Sequence, residues 1–392
     1  MPFIRAVIFS TAIAATAASP SCADERVIYS FSSYTYYRSG VLVDGSGNLY
    51  GTDYALDGQG AVYRLHQTNR KWLFAVVHDF NVTDGASPSA ALIEDQSDKR
   101  LFYGVTGYGG SGNSGTVYSL AHTGGGWTET VLHSFQFGSD GAIPAAPLWQ
   151  DKATGALFGT AGSSGSGNCG AAFELTPSGG SWTFTTLYRF QGGNDGCGPV
   201  SQLQPGPLPG TLIGSTYEGG ANNAGVVFEL TKSGDNWTES VIHSFTGVDG
   251  AIPYDLAATK HGTIYGVAYS GGDNGVGNFF KLSQAGGSWR YKILHSFSRT
   301  EPYNPVGLLL DHKTGAFYAA AQNGGSAAFG AVFKLVPNSK SWAVVSLHDF
   351  FGGGDGANPK VRPTLDPKTG ILYGVTANGG NDNLGAVYMI TP

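Results

Sequence analysis

Apolar and polar residues alternate along this chain in short runs, and Gly, Asp, Asn or Pro interrupts each run within a few positions. A side-chain period of two bounded by turn formers is the mark of short β-strands rather than helices. Between residues 142 and 190 the pattern predicts four of them, at Ala146 to Gln150, Ala156 to Thr160, Ala171 to Leu175 and Trp182 to Phe190. The first two are joined by Asp151-Lys152-Ala153-Thr154-Gly155, a tight turn that returns as Asp311 to Gly315 and Asp366 to Gly370.

The same phrase recurs along the chain. Trp72, Trp127, Trp182, Trp237, Trp289 and Trp342 follow one another at intervals of 52 to 55 residues, and Phe80, Phe135, Phe190, Phe245, Phe297 and Phe350 keep step with them. Third strands begin at Ala61, Thr116, Ala171, Val226, Asn278, Ala331 and Ala386, so there are seven units. Only six fourth strands begin with Trp, because the chain stops at Pro392; the seventh is supplied from the other end, where Val27-Ile28-Tyr29-Ser30-Phe31 matches Val131-Leu132-His133-Ser134-Phe135 class by class. Radial repetition of four antiparallel strands predicts an all-β, seven-bladed β-propeller whose N-terminal strand completes the last blade and closes the ring. A β-helix would need shorter coils, and an α-solenoid would need helical periodicity.

The repeated residues resemble a known family. Asp84-Gly85, Pro88, Tyr103-Gly104, Thr106, Gly109-Gly110 and Gly115-Thr116-Val117-Tyr118 follow the pattern of the GloVer tandem repeats of exported bacterial proteins. Asp355-Gly356, Pro359, Tyr373-Gly374, Thr376, Gly379-Gly380 and Gly385 follow it again. The resemblance covers essentially all of residues 24–392 and implies export and a repetitive β-rich protein. Members often carry a C-terminal sorting anchor; this chain ends at its last blade, and a freely soluble protein is expected.

Composition narrows the function classes. Of 392 residues 61 are Gly, 12% are aromatic and only 13% are charged, with a net charge of −6 and no basic cluster, which excludes a nucleic-acid partner that needs phosphates neutralised. Arg5, the apolar run Ala6 to Ala18 and Ser21-Cys22-Ala23 read as a signal peptide over residues 1–23, so that a single domain over 24–392 is expected to be secreted or periplasmic. A lipid anchor on Cys22 is the rival reading, and Ser19-Pro20-Ser21 makes a poor lipobox for it. No later run is long enough to span a membrane. Two cysteines then remain, and Cys169 and Cys197 fall in loops of one propeller face in neighbouring units, which predicts a disulfide.

Residues that recur in every unit describe how a blade is made. His78, His133, His243, His295 and His348, replaced by Tyr29 and Tyr188 in the other units, are therefore read as structural hydrogen-bonding groups, and Asp84, Asp140, Asp195, Asp249 and Asp355 as turn formers. Each Asp-Gly loop offers one carboxylate, too few for calcium, and neither a metal nor a cofactor is expected. Two loops depart from the phrase: Ser32 to Arg38 before the first blade and Arg299 to Asn304 before the sixth. Tyr34, Tyr36, Tyr37, Arg38, Arg299, Glu301 and Tyr303 are the candidate ligand-binding residues, since aromatic faces beside Arg and Glu suit a sugar or an acidic sugar. Tyr54, Tyr217 and Tyr269 could extend the platform. The expectation is a monomeric propeller binding an extracellular glycan or small molecule at the channel mouth. A polysaccharide lyase or glycoside hydrolase on the same scaffold is the enzymatic alternative, and a structural or protein-interaction platform is the third; no nucleophile elbow, zinc-ligand spacing or phosphate loop is present.

Overall fold

In a computed structural model the described residues are 24–32, 38–138, 140–163, 169–259, 261–338 and 341–392. They form seven antiparallel sheets of four strand positions, the first position of three blades being split into two pieces. Blade 1 is Leu42–Val43, Leu49–Asp53, Ala61–Thr68 and Lys71–Asp79, and blade 3 is Trp149–Gln150, Leu157–Ala161, Ala171–Ser178 and Ser181–Arg189. The first strand of blade 3 is shorter than its sequence suggests. Pro147 has no N–H for the ladder, and Trp149 and Gln150 pair with Phe158 and Leu157 only.

The ring closes as the N-terminal repeat fragment predicts. Asp24–Ser30 runs antiparallel to Ala386–Thr391, with Val27 opposite Tyr388 and Tyr29 opposite Val387, and Phe31 N–H then donates to Gly385 O at 3.0 Å. Blade 7 is thus built from both chain ends, and its last strand is not left as an unpaired edge.

The cores lie between sheets rather than within them. Tyr103, Val105 and Phe135 of blade 2 pack with Leu157, Phe173 and Leu175 of blade 3, and Trp182 meets Tyr103 edge-on at 5.8 Å between ring centres. The glycine of the Tyr-Gly-Val step follows from this packing: a Cβ on Gly104 would stand 2.4 Å from the Tyr118 hydroxyl, and one on Gly159 would stand 2.5 Å from Phe173. The fourth strand carries a β-bulge in all seven blades, at Ile28, Val77, Leu132, Leu187, Ile242, Leu294 and Leu347. The residue after each bulge is the recurring His or Tyr, and the bulge re-aims it out of its own sheet.

Candidate functional site

Two kinds of loop meet at one face of the ring: those joining second to third strands and those joining one blade to the next. The blade-entry phrase Asp-Gly-Ala-x-Pro sets the geometry there. At x the backbone is left-handed, with φ between +54° and +66° at Ser87, Ile143, Gly198, Ile252, Asn304 and Asn358. The N–H of each donates to the residue preceding the third strand's glycine in the blade before: Gln59, Ser114, Cys169, Ala224, Val276 and Phe329, at 2.6 to 3.0 Å. Ser87, Ile143 and Ile252 carry side chains that the left-handed region disfavours, so at these three junctions the stitch holds a strained backbone in place around the channel mouth.

The histidines and aspartates form one device. His133 Nε2 lies 2.8 Å from Asp140 Oδ2, and Asp140 also accepts from Gln136 N–H. His243 and Asp249, and His348 and Asp355, repeat the pair at 3.0 Å, and the Tyr188 hydroxyl donates to Asp195 at 2.8 Å. Burial pushes the imidazoles of His133 and His243 below the usual histidine value, the neighbouring aspartate opposing it. Each acid caps the turn into the next blade while holding a ring against that blade. His133 stacks on Phe184 at 3.9 Å and His243 on Tyr291 at 4.0 Å.

Glu301 belongs to this device. It lies 2.8 Å from His295 Nε2 and accepts Ser298 N–H at 3.0 Å, as Asp140 does for His133 and Gln136. Its departure from Asp-Gly in sequence is therefore a substitution within the turn. The six-residue step from His295 to Glu301 equals that from His243 to Asp249, and it is the signal by which the sequence could have placed it.

The remaining candidates divide. Tyr34, Tyr36 and Tyr37 lie outside the described residues. Arg38 is buried: its Nε donates to Asp53 Oδ2 at 3.0 Å, its Nη1 to the Leu384 carbonyl of blade 7, and its guanidinium covers the Phe31 ring. Arg299 is exposed and lies 5.6 Å from the centre of the Tyr303 ring, which is half-buried against the core between blades 5 and 6. The structure brings Arg299 and Tyr303 together; Arg38 and Glu301 serve different blade junctions. Cys169 and Cys197 are joined, beside the stitch in which Gly198 N–H meets the Cys169 carbonyl.

Another polar sector occupies the mouth between blades 5 and 7. The Tyr269 hydroxyl donates to Gln322 Oε1 at 2.9 Å, Asn304 Nδ2 to the Tyr269 carbonyl at 2.8 Å, and Asn323 Nδ2 to Asn304 Oδ1 at 3.0 Å. Asn358 Nδ2 donates to the Gln322 carbonyl at 3.0 Å and Asn378 Nδ2 to Asn358 Oδ1 at 3.1 Å. Deeper in the channel, Arg362 of blade 7 reaches Gln202 of blade 4 at 3.3 Å and stands 3.8 Å from Asp255 of blade 5. Burial raises the Asp255 carboxyl, and Arg362 opposes the shift. A shallow cleft of about 350 Å³ lies beside the disulfide, lined by Gly162, the segment Cys197 to Val200, Tyr217 and Glu218. Amides, phenols and one guanidinium in these surroundings can exchange several hydrogen bonds with a polyhydroxylated molecule.

The repeat model described as the Gloeobacter/Verrucomicrobia repeat matches residues 8–228 and 206–392. No curated protein is significantly similar to the chain. Among solved structures, the BP39L lectin from Burkholderia pseudomallei is 12% identical, with 91% of this chain and 96% of that one covered at a TM-score of 0.60. A hypothetical selenium-binding protein from Sulfolobus tokodaii is 9% identical over 76% of this chain and 75% of that one, at 0.55. A puromycin-hydrolysing peptidase from Mycobacterium tuberculosis is 10% identical over 89% of this chain and 51% of that one, also at 0.55. At these identities the likeness is one of fold.

Proposed function

The chain belongs to the Gloeobacter/Verrucomicrobia repeat family, and we propose that this member is an exported, monomeric propeller that binds carbohydrate at the mouth of its channel. The observation that carries the reading is the string of side chains from Tyr269 through Gln322, Asn304 and Asn323 to Asn358 and Asn378. Planar amides with both donors and acceptors, fixed by one another, are the groups that match vicinal hydroxyls, and a phenol ring beside them offers a stacking face. Arg362 on the channel floor suits an acidic sugar. The name of the BP39L lectin, at a TM-score of 0.60, is in keeping with glycan binding on this architecture.

Export is supported by the leader-like residues 1–23 and by the disulfide, a bond characteristic of oxidising compartments. No helix among the described residues is long and apolar enough to cross a membrane.

A glycan array probed with the purified protein tests the reading. Binding to a defined set of poly- or oligosaccharides is expected, weakened about tenfold in each of Asn304→Ala and Asn358→Ala, the worth of roughly 1.4 kcal/mol in lost hydrogen bonding. No bound glycan, or equal binding by both variants, would overturn it. Incubating the hits with the protein separates binder from enzyme, because only an enzyme leaves shortened or unsaturated products.

A further inference from the structure

The seven blade junctions are built alike, but the partner facing each His or Tyr changes. It is the residue two positions after the Trp of the next blade's fourth strand, or the matching residue of the closing strand. Where it is aromatic it stacks: Phe184 on His133, Tyr291 on His243, and Phe74 on Tyr29 at 4.8 Å. At two junctions a glutamate stands there instead, against a histidine and an aspartate. Between blades 1 and 2 the group is His78, Asp84 and Glu129; between blades 6 and 7 it is His348, Asp355 and Glu25, and in both groups one ligand atom from each residue lies within 4.8 Å of the others.

We propose that each of these two junctions binds one divalent transition-metal cation, Zn²⁺ or Mn²⁺ in class, through one imidazole nitrogen and two carboxylates.

The packing makes a second carboxylate costly without a counter-charge. The side chains of His348, Asp355 and Glu25 are 12%, 19% and 12% exposed, and those of His78 and Asp84 are 21% and 14% exposed. Two charged carboxylates withdrawn from water beside one imidazole repel each other, and a cation between them reverses the sign of the interaction. The polar atoms are also left over from the protein's own hydrogen bonding. Glu129 Oε1 and Glu25 Oε1 are buried without a hydrogen-bond partner. His78 Nε2 stands 3.2 Å from Asp84 Oδ2, and His348 Nε2 stands 3.9 Å from Glu25 Oε2.

The donor set selects the cation. One nitrogen and two carboxylates suit tetrahedral Zn²⁺ or a more open Mn²⁺ site completed by water, whereas Ca²⁺ asks for six to eight oxygens. The junction of blades 3 and 4 is a control within the molecule: Glu239 and Asp195 are present, but Tyr188 stands in place of the histidine.

Isothermal titration of the EDTA-treated protein with ZnCl₂ and MnCl₂, with CaCl₂ as comparison, tests the proposal. The expected result is about two Zn²⁺ or Mn²⁺ per chain, about one in each of Glu129→Gln and Glu25→Gln, and none in the double variant, with Glu239→Gln unchanged. Gln is nearly isosteric with Glu, and near-ultraviolet circular dichroism checks that each variant is folded. Co²⁺ provides a second readout, because its visible d–d absorption should appear with wild type and vanish in the double variant. Absence of saturable Zn²⁺ and Mn²⁺ binding, or a stoichiometry indifferent to both Glu substitutions, would overturn the assignment. These outcomes are independent of glycan binding, whose residues lie at the channel mouth.

Discussion

The guanidinium of Arg38 meets the carboxylate of Asp53 at 3.0 Å, with side chains only 2% and 1% exposed. Asp53 ends the second strand of blade 1, and the same guanidinium donates to the Leu384 carbonyl of blade 7. One side chain therefore links the segment entering the first blade to both sides of the ring's closing junction. Replacing it with Met keeps the apolar stem but leaves the Asp53 charge buried and uncompensated. Arg38→Met is expected to cost about 3–5 kcal/mol in urea unfolding, and adding Asp53→Asn should recover part of the loss. An Arg38→Met protein as stable as wild type would sink this account.

The disulfide between Cys169 and Cys197 spans a sequence separation of 28 and joins blade 3's loop to the entry of blade 4. Its main effect is on the unfolded chain, whose loop it closes. Reduction, or the double substitution to Ser, is expected to lower stability by about 3–4 kcal/mol. Comparing urea midpoints with and without reductant checks this, and the Ser variant should be insensitive to reductant.

Glu239 gives a pH signature. Burial, with Asp195 beside it, raises its carboxyl from 4.5 to about 7. A native pKa above the unfolded one means that the native state holds the extra proton, so the stabilisation is complete below about pH 4.5 and is lost as pH rises through about 7. Glu239→Gln cannot lose a proton. Its stability relative to wild type should rise between pH 4.5 and 8 and level off above that, as read from paired urea titrations; a flat difference across the range would count against the burial argument.

Closure by the N-terminal strand predicts a failure mode. A chain beginning at Ser32 lacks the strand paired with Ala386–Thr391, leaving that edge open together with the Tyr388 face. Open edges pair with other chains. Sedimentation velocity should show self-association of the truncated chain and a single small species for the intact one; a stable, monomeric truncated protein would contradict the closure's importance.

The sequence by itself determined the blade count, the strand pattern, the closing strand and the disulfide. All of these follow from local signals repeated in phase: alternation along a strand, Gly and Asp at turns, and two loops known to share a face. Tertiary structure decided what each recurring polar residue meets. His133 and Asp140 sit seven positions apart yet read in sequence as two unrelated series, because only the bulge at Leu132 turns the ring toward the acid. Arg38 and Glu301 stood out as breaks in the repeat; packing made one a buried clamp and the other a stand-in for aspartate. The carboxylates that join His78 and His348 come from other elements, Glu129 from the next blade and Glu25 from the far end of the chain. Strand periodicity fixes which face of its own sheet a side chain occupies, but the neighbour across a blade junction depends on ring closure and packing between sheets, and no local pattern encodes it.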